Sequence, residues 1–369
     1  MKYPANQGRR QLLLGLSACA VSSLSHVSHA QSFAFKPNQR YPDPSVLILD
    51  PSFAKYRLHN STLEQVATGM RWTEGPVYFP EGAYLLFSDI PNNRIMKFDE
   101  KTGQTSVFRT PANFANGNTK DRQGRLITCE HSVTRRVTRT ERDGKITILA
   151  DRYQGRNLNA PNDAIVKSDD SIWFSDPVFG ISGEWEGYAA KVEQLTTNVY
   201  RLSAQGKLVA MISDLLNPNG LAFSPDEKKL YVVESSHIPT SCVWVYDVGP
   251  DGTLSNKIKF IDGADHAALD GLKVDVDGNL WVGYGSDGAL EASPSMIGSK
   301  KGYRFKANPG DMDGVMIFNS EGKKIGFIQL PERCANLTFG GPKNNRLYMA
   351  SSHSVYALFV GVRGAVSEQ

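Results

Sequence analysis

The sequence predicts an all-β fold, a six-bladed β-propeller, on three observations. Short apolar and β-branched runs are broken every few residues by Gly, Asn, Asp or Pro. No sustained helical periodicity follows the N-terminal segment. One phrase of strands and turns recurs six times along the chain. Each copy opens with a small polar motif, runs through an apolar strand and an Asp/Gly turn, and continues into two further strands. A four-strand phrase repeating every roughly 40–65 residues is the mark of propeller blades. A β-sandwich would not require the same polar opening in each copy.

Residues 1–30 read as a signal peptide. Arg9-Arg10 precede Leu12-Leu13-Leu14-Gly15-Leu16, which is too short to span a bilayer, and small residues lead to Ser28-His29-Ala30. The paired arginines followed by Gln11-Leu12-Leu13 are similar to a twin-arginine signal, so export to the periplasm or beyond is expected. Leu16-Ser17-Ala18-Cys19 also fits a lipoprotein cleavage box, which would instead anchor the chain through Cys19. Residues 31–62 form an N-terminal extension, 63–361 the propeller, and 362–369 a tail.

The first copy runs from Glu74-Gly75-Pro76 through Tyr84–Asp89 and Arg94–Asp99. The second opens at Asn116-Gly117-Asn118, the third at Pro161-Asn162-Asp163 and the fourth at Pro218-Asn219-Gly220. The fifth opens at Asp270-Gly271 and a shorter sixth at Asn336-Leu337. A strand near Leu63–Trp72 would complete the last blade and leave no open edge.

Composition narrows the function classes. Forty-one Lys and Arg against 38 Asp and Glu leave a formal net charge of only +3, without a basic run dense enough to suggest nucleic acid. Arg135, Arg136 and Arg139 sit in an alternating pattern that fits a strand. Beyond the signal only Cys129, Cys242 and Cys334 remain, at wide spacing and without a CxxC pair. Buried free thiols fit them better than a disulfide framework. No Gly-x-Ser-x-Gly elbow supports a serine hydrolase.

The propeller expectation turns the repeat into a site, because the head of each innermost strand lies beside the central channel. The heads are Glu74, Asn116, Asn162, Asn219, Asp270 and Asn336, all oxygen donors. Such a set suits a hard divalent cation, most simply Ca2+. Glu74 and Asp270 would balance its charge, while Asn162 and Asn219 would supply neutral carbonyl oxygens. Asn-Gly and Asn-Asp are also ordinary turn formers, but Glu74 is a poor turn residue. His131 reads equally as a substrate contact at the channel mouth or as a hydrogen-bonded loop histidine. His237 and His266 fit loop roles.

These phrases, with Gly124–His131, Ser171–Pro177 and Asn336–Gly341, resemble the gluconolactonase / senescence marker protein family of six-bladed propellers over nearly all of the exported region. The resemblance implies a divalent metal, calcium in many members, on Glu74, Asn162, Asn219 and Asp270. It implies proton transfer by Asp270, and places Asn116 and His131 near the substrate. The expected reaction is hydrolysis of a small-molecule sugar lactone of the gluconolactone kind. Aryl-ester or organophosphate hydrolysis on the same scaffold, or a binding propeller with a structural ion, are the alternatives. Two insertions, Val178–Gln194 with Trp185 and Tyr188, and Ser286–Asp311, lie where they would reshape the pocket.

Overall fold

A computed structural model describes residues 35–237, 241–262, 268–285 and 312–365, and the backbone of two paired strands, Leu290–Ile297 and Lys300–Phe305. The expected signal peptide with Cys19, His266, and residues 366–369 of the expected tail lie outside the described residues. Of the Ser286–Asp311 insertion, only the two paired strands are described.

Six antiparallel sheets follow one another in chain order. Their innermost strands are Thr73–Phe79, Ala115–Lys120, Ala164–Val166, Pro218–Phe223, Ala268–Val274 and Cys334–Gly340. Each inner strand packs against the inner strand of the next blade, and the sixth returns to the first. The ring is closed.

Blades one to four are simple four-stranded meanders. Blade five gains a fifth, outermost strand, Val46–Ile48, paired with Lys324–Gln329. Blade six takes its outer strand from Glu64–Thr68, which pairs with Ser354–Phe359 near the other end of the chain. The closing strand therefore falls where the sequence placed it. Blade six thereby gains its fourth strand from the N-terminal side of the propeller, which ties the two ends of the ring together.

Period-two alternation explains the packing. The second strand of a blade is buried on both faces, so its successive side chains feed opposite interblade cores. In blade one Leu85 and Phe87 face blade six, while Leu86 faces blade two. In blade three Phe174 packs toward blade two and Trp173 toward blade four. Six apolar clusters result, one at each blade junction. Each fully buried large side chain contributes about 1.5–3 kcal/mol. The two buried tryptophans keep their polar edges satisfied, Trp173 Nε1 on Ser171 Oγ at 3.0 Å and Trp281 Nε1 on Asp275 Oδ2 at 2.9 Å. Outer strands differ in kind: five of the six residues of Gln104–Arg109 are exposed.

Candidate active site

The site begins with a backbone irregularity. In five blades the pairing of the first two strands slips at the head: between Glu74 and Val77, Ala115 and Asn118, Pro218 and Leu221, Leu269 and Leu272, and Cys334 and Asn336. A bulge re-aims side chains that a regular ladder would send into the interblade core. In blade three Asn162 and Asp163 simply precede the strand.

Glycine lets neighbouring heads touch. Gly75 has φ +50°, and a Cβ there would stand 2.2 Å from the carbonyl oxygen of Asn116. A Cβ on Gly117 would stand 2.3 Å from that of Asn162, the atom that accepts the Gly117 N–H at 2.7 Å. Only a residue without a side chain fits either position.

All six sequence-derived heads are buried, and Asp163 joins them. Asn219 Nδ2 donates to Asp270 Oδ1 at 2.7 Å and to Ser235 Oγ at 3.1 Å. Asn336 Nδ2 donates to Glu74 Oε2 at 3.0 Å and to Asp163 Oδ2 at 3.4 Å. Arg333 approaches Asp270 Oδ2 at 3.3 Å. Glu74, Asn219 and Asp270 are thus brought into one cluster. Asn162 stands at the head of blade three, tied into the ring through its backbone.

Electrostatics mark the cluster as unfinished. Burial, then the charges of Asp270 and Asp163, push the Glu74 carboxyl well above its usual range. Burial also raises Asp163, against the opposing charge of Lys273. Asp270 is pushed up to about 6, chiefly by burial, with Arg333 and Asn219 pulling the other way. Three acids share one buried space, which favours their neutral forms unless positive charge enters.

The donor set fits a hard divalent cation. Asn219 spends its nitrogen on protein partners, and among the described residues no protein group donates to its Oδ1. Asn116 Oδ1 is buried with no hydrogen-bond partner among the described residues. Carboxylate and amide oxygens of this kind are calcium-type ligands.

His131 explains the setting of Asn116. Its ring is fully buried, with Asn116 Nδ2 at 3.3 Å from Nε2 and the Glu186 carbonyl oxygen at 3.1 Å from Nδ1. A proton on Nδ1 satisfies both contacts, so Nε2 accepts from the amide and Asn116 Oδ1 is left over. Burial lowers the His131 pKa to about 4, which keeps the ring neutral. Both nitrogens are engaged by protein, so in this arrangement His131 offers no polar atom to a substrate.

The Val178–Gln194 excursion is built onto the same wall. Ser132 Oγ donates to Gly180 O at 3.0 Å, and the rings of Phe114 and Tyr188 meet edge to face at 5.3 Å. Glu186, partly exposed yet deeply surrounded, has its carboxyl pushed up to about 7, first by burial and then by Asp270. Trp185 and Tyr188 stay exposed.

Sequence reasoning missed Asp163, Arg333 and Glu186. Asp163 follows an Asn already assigned, where Asn-Asp reads as a turn pair. Arg333 and Glu186 arrive from segments outside the head motif, which no repeat would flag. The arginine trio is tied to protein: Arg135 bonds the Leu158 and Asn159 carbonyls, Arg136 bonds Glu130, and Arg139 bonds Glu141. Cys129, Cys242 and Cys334 are buried free thiols. Among the described residues no helix is long and apolar enough to cross a membrane. A second group of possible ligands, Glu234, His237 and Cys242, lies in blade four.

Comparison with known proteins agrees with this fold. The chain is 28% identical to a gluconolactonase of Zymomonas mobilis over 320 residues, 80% of each chain. It is 23% identical to the pentonolactonase XacC of Haloferax volcanii over 291 residues, 78% of this chain and 84% of that one. The solved gluconolactonase of Xanthomonas campestris superposes with a TM-score of 0.73 at 32% identity, covering 85% of this chain and 94% of the other. A calcium-binding regucalcin of Agrobacterium tumefaciens shares the fold, with a TM-score of 0.62 at 17% identity over 81% of this chain and 94% of that one. Residues 72–353, from just before the first head to the end of blade six's second turn, match the model of the SMP-30/gluconolactonase/LRE-like region, and the chain belongs to that family.

Proposed function

We propose that this chain is a hydrolase that opens sugar lactones at the hub, with a calcium ion held by Glu74, Asn162, Asn219 and Asp270. One observation carries the reading: Glu74, Asp163 and Asp270 are buried within one another's field, with the charges of Arg333 and Lys273 opposing them among the described residues. Burying a charge without a partner costs several kcal/mol, and a divalent cation removes that cost. Relatives named as gluconolactonase and pentonolactonase support the substrate class.

When bound, the cation supplies Lewis acidity toward the lactone carbonyl and acidifies water. The remaining work belongs to the chain. Asp270 accepts the proton released by the attacking water and returns it to the ring oxygen as the ester C–O bond breaks. Arg333, against Oδ2, holds that carboxylate in place. Asn116 presents Oδ1 to a sugar hydroxyl, and His131 positions it from behind. The Val178–Gln194 excursion limits water at the mouth.

The test is Asp270→Asn, assayed on gluconolactone with calcium and then with chelator. A general acid–base role predicts a loss of about 10²–10⁴-fold in kcat with an unchanged circular dichroism spectrum. Undiminished turnover in the folded variant, or in chelator, would sink the reading. Faster turnover of an aryl ester than of gluconolactone would replace the substrate class. The same proposal places the reaction outside the cytoplasm, on the strength of Arg9-Arg10 and the apolar stretch after them. Fusing residues 1–30 to a reporter tests this, and retention of the reporter in the cytoplasm refutes it.

A further inference from the structure

Blade four carries a different donor set. Glu234 ends the strand Lys229–Glu234, and Cys242 begins the next, Cys242–Val248. The two are direct cross-strand partners, so the sheet register itself sets their spacing. His237 lies in the connection between them. One ligand atom from each of Glu234, His237 and Cys242 lies within 4.8 Å of the others.

We propose that this hairpin end is a second metal site, selective for a borderline-soft ion such as Zn2+, with Glu234, His237 and Cys242 as ligands and a fourth position open to water. The donor chemistry separates it from the hub. Carboxylate and amide oxygens select calcium, whereas a thiolate, an imidazole and a carboxylate together select zinc-type ions.

Outer contacts already orient the carboxylate. Leu216 N–H donates to Glu234 Oε1 at 2.7 Å and Trp244 Nε1 donates to Oε2 at 2.6 Å. Such partners fix a metal ligand's direction and tune affinity. The Cys242 thiol reaches Oε2 at 3.8 Å. A carboxylate offers about four acceptor sites, so these contacts leave room for a metal. On binding, the Cys242 S–H bond breaks, sulfur keeps the electron pair to form the metal–sulfur bond, and the proton leaves to solvent. Oε2 loses that thiol donor and gains the ion. Metal–ligand bonds of about 2.0–2.3 Å require the three side chains to draw in by roughly 1 Å. Glu234 and Cys242 are buried, while His237 is half-buried and gives access from the surface.

The site adjoins the hub. Ser235, next to Glu234, accepts the Asn219 amide proton at 3.1 Å. Its occupation does not depend on lactone hydrolysis, so the two proposals fail separately.

The probe is Co2+ added to the full chain already saturated with calcium. The expected result is a thiolate-to-cobalt absorption band in the near ultraviolet, saturating at about one equivalent and bleached by Zn2+. Cys242→Ser removes the band. Because Cys242 is in the core, His237→Ala, on the half-buried connection, serves as the second variant and weakens Co2+ binding by more than tenfold. Absence of the band in the wild-type chain, its persistence in Cys242→Ser, or unchanged affinity in His237→Ala overturns the proposal.

Discussion

Glu130 in blade two and Glu74 at the hub are both buried glutamates, and they are treated in opposite ways. Glu130 Oε2 meets Arg136 Nε at 2.7 Å, Thr134 Oγ1 at 2.8 Å and Asn113 Nδ2 at 2.9 Å, while Oε1 takes Thr138 at 3.1 Å. Glu74 has one amide, Asn336, and its neighbour's N–H, and it faces two other acids. A structural acid in this fold is compensated by protein groups within its own blade. The hub acids come from three blades and are compensated by too little. The contrast separates a carboxylate answered by protein groups from one left under-compensated.

Breaking the compensated acid has the largest expected effect on stability. Glu130→Ala strands Arg136 against the blade and costs about 3 kcal/mol, the lower end for breaking a buried pair because Arg136 keeps some exposure. Urea titration measures it, and a loss below about 1 kcal/mol would erase the distinction. Calcium comes next. On the proposed reading, calcium at a hundred times its Kd is expected to stabilise the wild-type chain by about 2.7 kcal/mol, measured as a rise in Tm that chelator reverses. Glu74→Gln abolishes that rise.

Acid probes the wall behind the hub. His131 has its folded pKa lowered to about 4 from an ordinary 6.5, so the unfolded chain binds the proton first as pH falls. Its neutral form is at no disadvantage above pH 6.5, and stability is lost between there and pH 4. The loss is about 2 kcal/mol at pH 5. His131→Gln flattens this part of the stability–pH curve, and an unchanged slope would remove His131 from the account. The smallest effect sharpens the comparison most. In chelator at pH 7, Glu74→Gln stabilises the metal-free chain by about 1 kcal/mol, because burial and then the neighbouring acids disfavour the ionised carboxylate that the unfolded chain carries, the opposite sign to Glu130→Ala.

Much of the fold was legible because propeller strands are short, alternate strictly and recur. Leu85, Leu86 and Phe87 advertise a strand buried on both faces, and the closing strand followed from the sixth copy being one strand short. Glu74 was legible because a glutamate is out of place in a turn. Asp163 was not, since Asn162-Asp163 looks like turn chemistry and only the fold says which side chain reaches Asn336. Glu130 gave no sign of its Arg136 partner beyond sitting six residues before it. Arg333 and Glu186 were illegible because proximity in the closed ring, not any local pattern, gives them meaning.

The pairing of Glu64–Thr68 with Ser354–Phe359 bears on the order of events as the polypeptide leaves the ribosome. Its two partners are separated by almost the entire propeller, so blade six waits for the last strands to be synthesised. Glu74 waits with it, because Asn336, the amide that steadies its carboxylate, is supplied by that same late blade. A nascent chain truncated before residue 334 therefore holds the strands of five blades but lacks the amide that steadies Glu74, so the hub is completed only once blade six has been made.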